Sequence, residues 1–351
     1  MSTLSDPSSR AIDAVQARAA RVRRESLDRL DAVFGNRPAR ELETMAASTL
    51  AAGRVTLNFH PDRIGKRGLS VAAGLLADGR YHSQWITGLS NGSRSALAGG
   101  DRHRWEHVMF DGAYDDPDLV LAARPVYGSL DLLQDPHGGS PRFGSSYVVL
   151  RPSMVSRTTF CVGDSHVGAR DVGTVAQPLS LFAGLAEQAS ARHLLDRPLG
   201  VTELLAVADG SLRLDRPSRC IDGYVEAQVH GEVDLTNDVE SIVVDPSFRG
   251  TEVERDLAAA ARRHRFTLEW HGGSEIEADD IPEDFRGRTV RELGRGIARA
   301  DGLLDAATIG RAAAATRLPP ATGSGDEPSS ALQQLKYLWH ALFVFGHDAE
   351  P

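Results

Sequence analysis

Four polar side chains at alternating positions carry the strongest chemical signal in the sequence. Tyr224, Glu226, Gln228 and His230 are separated by single apolar residues, so an extended strand places all four on one face. Such a face cannot be packed against hydrocarbon, because a buried polar group without a partner costs several kcal/mol. Two interpretations follow: an outer sheet face that is open to solvent, or a functional cleft in which Glu226 supplies a fixed carboxylate.

A second polar face is predicted upstream. Residues 55–60 alternate between apolar and polar types, which predicts a strand that carries His60 on its polar side. Pro61 forces the chain to leave the sheet. Arg63 therefore stands where a strand opens into a loop, the usual place for functional side chains. A purely structural histidine fits the same pattern, and both interpretations stay open.

Two further motifs admit both a functional and a structural interpretation. Ser90, Asn91 and Gly92 are typical of a turn whose backbone N–H groups can wrap a phosphate or a ribose, although a plain surface turn has the same composition. Arg102 and Glu106 stand four residues apart on a predicted helix, which is the spacing of a simple ion pair.

Tyr127 precedes Gly128 within a predicted strand. A glycine inside a strand indicates the close approach of a ligand or of another backbone. The tyrosine is therefore a candidate site residue, with a buried core tyrosine as the alternative.

A third group of side chains follows one strand later. Cys161, Asp164 and His166 suggest either a thiol nucleophile or a pair of metal ligands. The segment itself offers no third ligand. A metal-assisted hydrolase would therefore need His60 together with Asp164 and His166.

Several common signatures are absent from the sequence. It contains no GxxxxGK(S/T) phosphate loop, no GxGxxG after a strand, no HExxH, no GxSxG and no paired CxxC. These absences argue against P-loop ATPases, Rossmann oxidoreductases, common zinc proteases and α/β-hydrolases.

The composition of the chain excludes further classes of protein. The chain has 351 residues, of which 41% are hydrophobic, and a net charge of −9, an acidic balance that argues against general nucleic-acid binding. No apolar run is long enough to span a bilayer, and no signal peptide is evident. The two cysteines cannot form a disulfide framework. We therefore expect a soluble, cytoplasmic protein with no membrane partner.

The elements that must position these residues follow from periodicity. Residues 10–34 and 38–52 have helical spacing and predict an N-terminal helical hairpin. The helices at the two ends of the chain could instead hold a partner as a non-catalytic interaction module, or form a homo-oligomer. The predicted segments are 1–53 (N-terminal helices), 54–275 (α+β core), 276–317 (C-terminal helices), 318–330 (Pro/Gly/Ser-rich linker) and 331–351 (terminal helix and tail).

Several blocks of the sequence together resemble a family of bacterial proteins known only as a domain of unknown function. The resemblance covers residues 55–251 and names no activity. The blocks are FHPDR (59–63), TGLSNGS (87–93), RWEHVMFDGAYD (104–115), RPVYGSLDL (124–132), PRFGSSYVVL (141–150), TTFCVGDSH (158–166), and YVEAQVHG with DVESIVVDPSFRGT (224–251).

The order of the blocks also resembles, more distantly, the His–Tyr–Glu branch of the ADP-ribosyltransferase superfamily. A histidine strand is followed by a helix, a tyrosine strand, more strands and finally a glutamate strand. The resemblance implies a split, two-sheet α+β core that clamps NAD in a bent shape. It also implies a transferase that uses NAD as its substrate, cleaves the nicotinamide–ribose bond and passes ADP-ribose to an unknown acceptor, which is a protein, a nucleic acid or a small molecule.

The same resemblance implies a role for individual residues. His60 would hydrogen-bond the ribose and amide of NAD, and Tyr127 would stack on the nicotinamide. Glu226 would bind the ribose 2′-hydroxyl and stabilise the oxocarbenium-like charge. The remaining cofactor-binding residues would be Ser90, Asn91, Gly92, Arg63 and Gln228.

The chain departs from this superfamily at two positions. Tyr224 stands where the arginine-specific branch carries Glu or Gln, and His60 is followed by a proline. Tyr81 and Tyr147 also compete with Tyr127 for the role of the stacking tyrosine.

Overall fold

The computed structural model describes residues 4–89, 96–212, 214, 218–316 and 330–349. Within these ranges, no helix combines the length and the apolar character that crossing a membrane requires. The helices are α1 (Asp6–Arg21), α2 (Arg23–Phe34), α3 (Ala39–Ala52), α4 (Val71–Asp78), α5 (Gln84–Thr87), α6 (Asp101–Phe110), α7 (Leu179–Ser190), α8 (Val201–Ala208), α9 (Glu252–His264), α10 (Thr289–Ile297), α11 (Ala306–Ala315) and α12 (Ser330–Phe345). The strands are β1 (Arg54–Phe59), β2 (Arg80–Tyr81), β3 (Val126–Asp131), β4 (Ser146–Leu150), β5 (Thr158–Val162), β6 (Val172–Gly173), β7 (Val225–Val229), β8 (Val233–Asp234), β9 (Val239–Val244), β10 (Thr267–Trp270), β11 (Ile276–Glu277) and β12 (Leu303–Leu304).

Three helices, rather than the predicted pair, precede the first strand. The single helix expected over residues 10–34 is wrong, because α1 and α2 meet at Val22, whose backbone is not helical. The break allows each helix to bury its apolar side on a different neighbour: α1 packs on α6 and β6, whereas α2 packs on α7. Gly35 and Pro38 then separate α2 from α3, as the sequence predicts.

Eight strands form one central sheet in the order β10–β9–β4–β1–β3–β7–β5–β6. Neighbouring strands are antiparallel except β9 and β10, which run parallel because α9 carries the chain back between them. Two smaller sheets pair β2 with β8 and β11 with β12. The predicted α+β class is therefore confirmed. The histidine, tyrosine and glutamate strands, which are far apart in sequence, are the neighbours β1, β3 and β7.

The sheet is continuous but weakly joined at its centre. β1 and β3 share only three residue pairs, which run from Arg54 opposite Asp131 to Thr56 opposite Ser129. Beyond these pairs, β1 stays paired with β4, and β3 stays paired with β7. In place of the two expected sheets there is one sheet, whose halves part and leave a wedge between β1 and β3.

Gly128 lies where the two halves part. A Cβ atom at this position would lie 2.3 Å from the carbonyl oxygen of Thr56 and 2.5 Å from Cδ2 of Leu57. Only glycine lets two backbones approach this closely without displacement. Of the two explanations that the sequence offers for this glycine, the close approach of another backbone is the observed one.

The two faces of the sheet differ in chemistry, as the alternation predicts. The hydroxyls of Thr56 and Ser129 meet across β1 and β3 at 3.0 Å, and Ser129 also pairs with Glu226 of β7. The polar side chains of all three strands therefore share one face, and apolar side chains form the other. The polar face is itself buried, with Thr56, Ser129 and Gln228 inaccessible to solvent. The interpretation of an outer face open to solvent is wrong.

The terminal helix α12 is packed into the body of the fold. It contacts α10, α11 and the short turn at residues 141–143, and it buries Leu338, Trp339 and Phe343. The indole Nε1 of Trp339 donates a hydrogen bond of 2.8 Å to the carbonyl oxygen of Pro141. The apolar side of α12, which the interaction-module alternative assigns to a partner, is thus covered by the chain itself. The predicted linker lies outside the described residues apart from Ser330, the first residue of α12.

Candidate functional site

The wedge between β1 and β3 opens into a cavity of about 310 Å³, which is within the range of small-molecule sites. It brings together most of the chemistry-bearing residues that the sequence singles out. Helices α5 and α6 and the N-terminal half of α12 supply further walls. The residues named in the sequence analysis that line the cavity are His60, Arg63, Tyr81, Arg102, Tyr127, Asp164, His166 and Glu226.

Strand register fixes where the tyrosine and the glutamate stand. Tyr127 of β3 pairs with Gln228 of β7, and Ser129 pairs with Glu226. Tyr127 and Glu226 are therefore diagonal neighbours on one face, a relationship that typically spans about 7–8 Å between Cα atoms. A small molecule in the wedge can contact both side chains at once.

Glu226 is held in a buried, polar environment. Its side chain is only 6% exposed, and Oε1 accepts a hydrogen bond of 2.8 Å from the amide Nε2 of Gln228. Burial, reinforced by the negative charge of Asp164, raises the pKa of Glu226 to about 7, against the opposing effect of the Arg102 guanidinium and of hydrogen bonds from Ser165 and Gln228. The carboxyl group is thus poised to change its charge near neutral pH.

A chain of buried hydrogen bonds ends on this carboxylate. The hydroxyl of Thr159 donates to Oε1 of Gln228 at 2.7 Å, so its oxygen accepts from Nε2 of His230 at 3.0 Å. Nδ1 of His230 is then left to accept from the hydroxyl of Tyr114 at 2.6 Å. Each donor and acceptor role in the chain is consistent, and the amide N–H of Gln228 is directed at Glu226. Gln228 does not line the cavity; it stands behind Glu226 and orients it.

Tyr127 is anchored through its hydroxyl. This group donates a hydrogen bond of 3.1 Å to Oε1 of Glu106, which also accepts from Nε1 of Trp85 at 3.1 Å. The other oxygen of Glu106 accepts from Nη1 of Arg124 at 2.6 Å. The ion pair predicted between Arg102 and Glu106 is therefore wrong, because Glu106 turns toward the sheet and is satisfied there by Arg124.

Arg102 instead extends over aromatic rings in the cavity. Its Cζ atom lies 4.4 Å from the ring centre of Tyr127 and 4.8 Å from that of Trp105, an arrangement in which a ring face stabilises a planar cation. Nε and Nη1 of this guanidinium are buried and have no hydrogen-bond partner.

His60 stands at the opposite wall as a neutral imidazole. Its ring meets the indole of Trp339 edge-on, with 5.2 Å between the ring centres. Burial, with the nearby charge of Arg63 and the ring of His340, holds the pKa of His60 well below its usual range. A neutral imidazole offers one donor and one acceptor, which suits the recognition of a hydroxyl or an amide.

The thiol and metal alternatives gain little from the geometry. Nδ1 of His166 pairs with Oδ1 of Asp164 at 2.6 Å, and the described part of the chain has no group of three or more His, Cys, Asp or Glu residues arranged to hold a metal ion. Cys161 is buried beside Glu226, and burial raises its pKa well above the usual value. A protonated, inaccessible thiol is a poor nucleophile.

Some predicted residues stand elsewhere. Ser90, Asn91 and Gly92 lie outside the described residues. Tyr147 does not line the cavity, and its hydroxyl donates to the carbonyl oxygen of Pro136 at 3.1 Å. Tyr81 lines the cavity beside Phe59, so it stays a competitor of Tyr127.

Sequence reasoning also missed several cavity residues. Trp85, Trp105 and Arg142 carry no distinctive spacing that could have identified them. Lys336 does have a signal, because it is one of only two lysines in an arginine-rich chain. It reaches the cavity from α12, and burial lowers its pKa to about 8.

Comparison with known proteins places the chain in a family. It is 28% identical over 172 residues to the "Gene 2 protein" of Mycobacterium phage L5, a match that covers 48% of this chain and 59% of the phage protein. The chain thus spans less than two thirds of that relative. A family profile described as "Protein of unknown function (DUF3626)" matches residues 54–345, from β1 to the last residue of α12, and leaves out α1–α3. The match spans the whole sheet and every described wall of the cavity, and on this basis the chain belongs to the DUF3626 family.

Proposed function

We propose that this protein is an ADP-ribosyltransferase-like enzyme that cleaves NAD at the nicotinamide–ribose bond and transfers ADP-ribose to an acceptor. One observation carries the proposal. His60, Tyr127 and Glu226 come from strands far apart in sequence, yet they line one cavity at the wedge between neighbouring strands. The wedge also supports the proposal, because it provides the cleft that a split core would use to hold a bent dinucleotide.

Glu226 would stabilise the charge that develops as nicotinamide leaves. Departure of the base leaves positive charge on the ribose carbon, and a fixed carboxylate stabilises that transition state more than the ground state. Gln228 holds the carboxylate in position, so little reorganisation is needed during the reaction. Because the ionised form is required, we expect activity to rise with pH through the Glu226 pKa of about 7.

Tyr127 would provide the surface for the nicotinamide ring. The guanidinium of Arg102 already lies 4.4 Å from the ring centre, which indicates that this aromatic ring attracts a planar cation. The pyridinium of NAD is also a planar cation. The hydroxyl bond to Glu106 fixes the ring plane, and His60 on the opposite wall is available to bond the ribose or the amide.

The experiment compares wild type, Glu226→Gln and Glu240→Gln. Calorimetry measures NAD binding, and chromatography measures nicotinamide release with water as the acceptor. Glu240 is an exposed glutamate of β9, so its substitution controls for the loss of one carboxylate from the sheet. We expect Glu226→Gln to keep NAD binding and to lose about 100-fold or more of the release rate, the usual scale for removing one charge-stabilising group. Full activity in Glu226→Gln, or neither heat nor nicotinamide from wild type at saturating NAD, would refute the proposal.

A further inference from the structure

The cavity walls carry an unusual concentration of unsatisfied polar atoms. Most of these are N–H donors, so the cavity lacks acceptors rather than donors. In the described chain, the lining atoms that are buried without a hydrogen-bond partner are Nη1 of Arg63, Oγ of Ser83, Oε1 of Gln84, Nε and Nη1 of Arg102, Nε1 of Trp105 and Nε of Arg142.

Arg102 stands out among them because it is a charged side chain that is only 8% exposed. Helix α6 carries two carboxylates: Asp101 pairs with Arg104, and Glu106 is occupied by Arg124, Trp85 and Tyr127. The structure shows no ion pair for Arg102 among the described residues. A buried charge without an ion-pair partner is costly. Glu226 is near enough for its charge to attract the guanidinium, but the two free nitrogens of Arg102 have no acceptor and lie in the wall of a cavity that a ligand can fill.

Trp105 lies next to this guanidinium and also carries an unsatisfied hydrogen-bond donor. Its ring contacts Arg102, with 4.8 Å between Cζ and the ring centre. Its Nε1 is buried and lies near the Tyr127 hydroxyl, but it makes no hydrogen bond of good geometry. The two side chains are three residues apart on α6, so one helix brings both donors to the same part of the cavity.

We propose that Arg102 and Trp105 form an anion subsite that takes the pyrophosphate group of a nucleotide. Pyrophosphate offers several charged acceptor oxygens in different directions, whereas a carboxylate offers two. Arg63 lines the same cavity and adds positive charge, and Arg142 lines it as well, although its guanidinium is paired with Asp222. The assignment of the anion to a dinucleotide rests on the proposed function, but the subsite itself does not.

Anion binding would also change the surroundings of Tyr127. The guanidinium that turns toward a pyrophosphate leaves its position over the tyrosine ring. That ring is then open to another planar cation. The subsite therefore couples recognition of the anion to exposure of the surface on which a nicotinamide would stack.

Calorimetric titration with ADP-ribose and with inorganic pyrophosphate tests the subsite without any catalytic step. The variants are Arg102→Gln and, as the matched control, Arg104→Gln, which removes one positive charge from the exposed side of the same helix. We expect Arg102→Gln to weaken both ligands by about 10- to 100-fold, the scale of a hydrogen bond to a charged group, and Arg104→Gln to weaken them less than about threefold. Equal effects of the two substitutions, or no binding of either ligand to wild type, would overturn the proposal.

A second variant covers the case in which Arg102→Gln does not fold. Trp105→Phe keeps an aromatic ring beside the guanidinium and removes the N–H donor together with part of the ring area. We expect it to weaken pyrophosphate about 3- to 10-fold, and unchanged binding in a folded Trp105→Phe protein would count against the subsite.

The two proposals fail separately. Arg102-dependent pyrophosphate binding without nicotinamide release would leave the subsite standing and remove the NAD reaction. Nicotinamide release that depends on Glu226, together with ligand binding that does not depend on Arg102, would support the NAD reaction and remove the subsite.

Discussion

The raised pKa of Glu226 makes a prediction about stability that is independent of catalysis. A carboxyl group whose pKa is higher in the folded protein than in the unfolded chain binds more protons when folded. Its contribution to stability is then complete below the unfolded pKa and is lost as the pH rises through the folded pKa. For Glu226 this window runs from 4.5 to about 7.

The magnitude follows from that interval. One pKa unit corresponds to about 1.4 kcal/mol, so the ionised Glu226 side chain should lower the free energy of unfolding by about 3 kcal/mol relative to its neutral form. Glu226→Gln replaces the carboxyl group with a neutral group of the same shape, and its oxygen can still accept from Gln228. We therefore expect Glu226→Gln to exceed the stability of wild type by less than about 1 kcal/mol near pH 5 and by about 3 kcal/mol at pH 8.5.

Denaturant unfolding of both proteins at the two pH values measures this difference, because every other titrating group is shared. The exposed Glu240→Gln variant should show no such pH-dependent gain. In an Asp164→Asn background the gain should be smaller and should level off at a lower pH, since the charge of Asp164 is the second cause of the raised pKa. A wild-type-to-Glu226→Gln difference that is the same at pH 5 and pH 8.5 would show that the carboxyl group is not desolvated, and the reasoning about the site would fail with it.

Three further substitutions test the elements around the site. Gly128→Ala places a Cβ atom 2.3 Å from the β1 backbone and should lower the free energy of unfolding by about 2 kcal/mol or more. In the control Gly296→Ala of α10, the added Cβ meets open space, so the free energy of unfolding should rise by up to about 1 kcal/mol. Equal effects of the two substitutions in denaturant unfolding would contradict this prediction. Thr159→Val leaves both of its buried partners unsatisfied and should cost about 1–3 kcal/mol, while Thr159→Ser keeps the hydroxyl and should cost far less; the same melts distinguish them. Tyr127→Phe loses the hydrogen bond to Glu106 but keeps the ring, and it should reduce the rate of nicotinamide release by about tenfold or less. Tyr127→Ala removes the ring and should reduce that rate much further. Equal rates in the two variants would refute the stacking role of Tyr127.

The sequence predicts the chemistry of individual strands well, because alternation is a local property. The polar faces appear within β1 and β7, whereas His60, Tyr224 and His230 each lie one residue beyond a strand end. Local pattern also predicts where α3 begins, since glycine and proline act on their own neighbourhood. These predictions succeed because they need no knowledge of which strands are neighbours.

Contacts between distant segments lie beyond such reasoning. Spacing alone favours an ion pair between Arg102 and Glu106, but Arg124, from a separate loop, takes the carboxylate. No glycine or proline at Val22 indicates the helix break in the sequence. The break is explained only by the different neighbours on which α1 and α2 pack. The adjacency of β1, β3 and β7, on which the candidate site depends, is likewise a property of the assembled sheet.

The position of α12 has a consequence for the order in which the cavity is made. Ribosomal synthesis proceeds from the N-terminus, and domains begin to fold as they emerge. His60, which directly follows β1, and the strands that carry Tyr127 and Glu226 all precede α12, and so do α5 and α6. A nascent chain can therefore assemble the candidate site residues before Lys336, which lines the cavity, and Trp339, which packs against His60, have been made. The pocket is closed on that side only when α12 has been synthesised and docked, so a shortened translation product would leave His60 open to water.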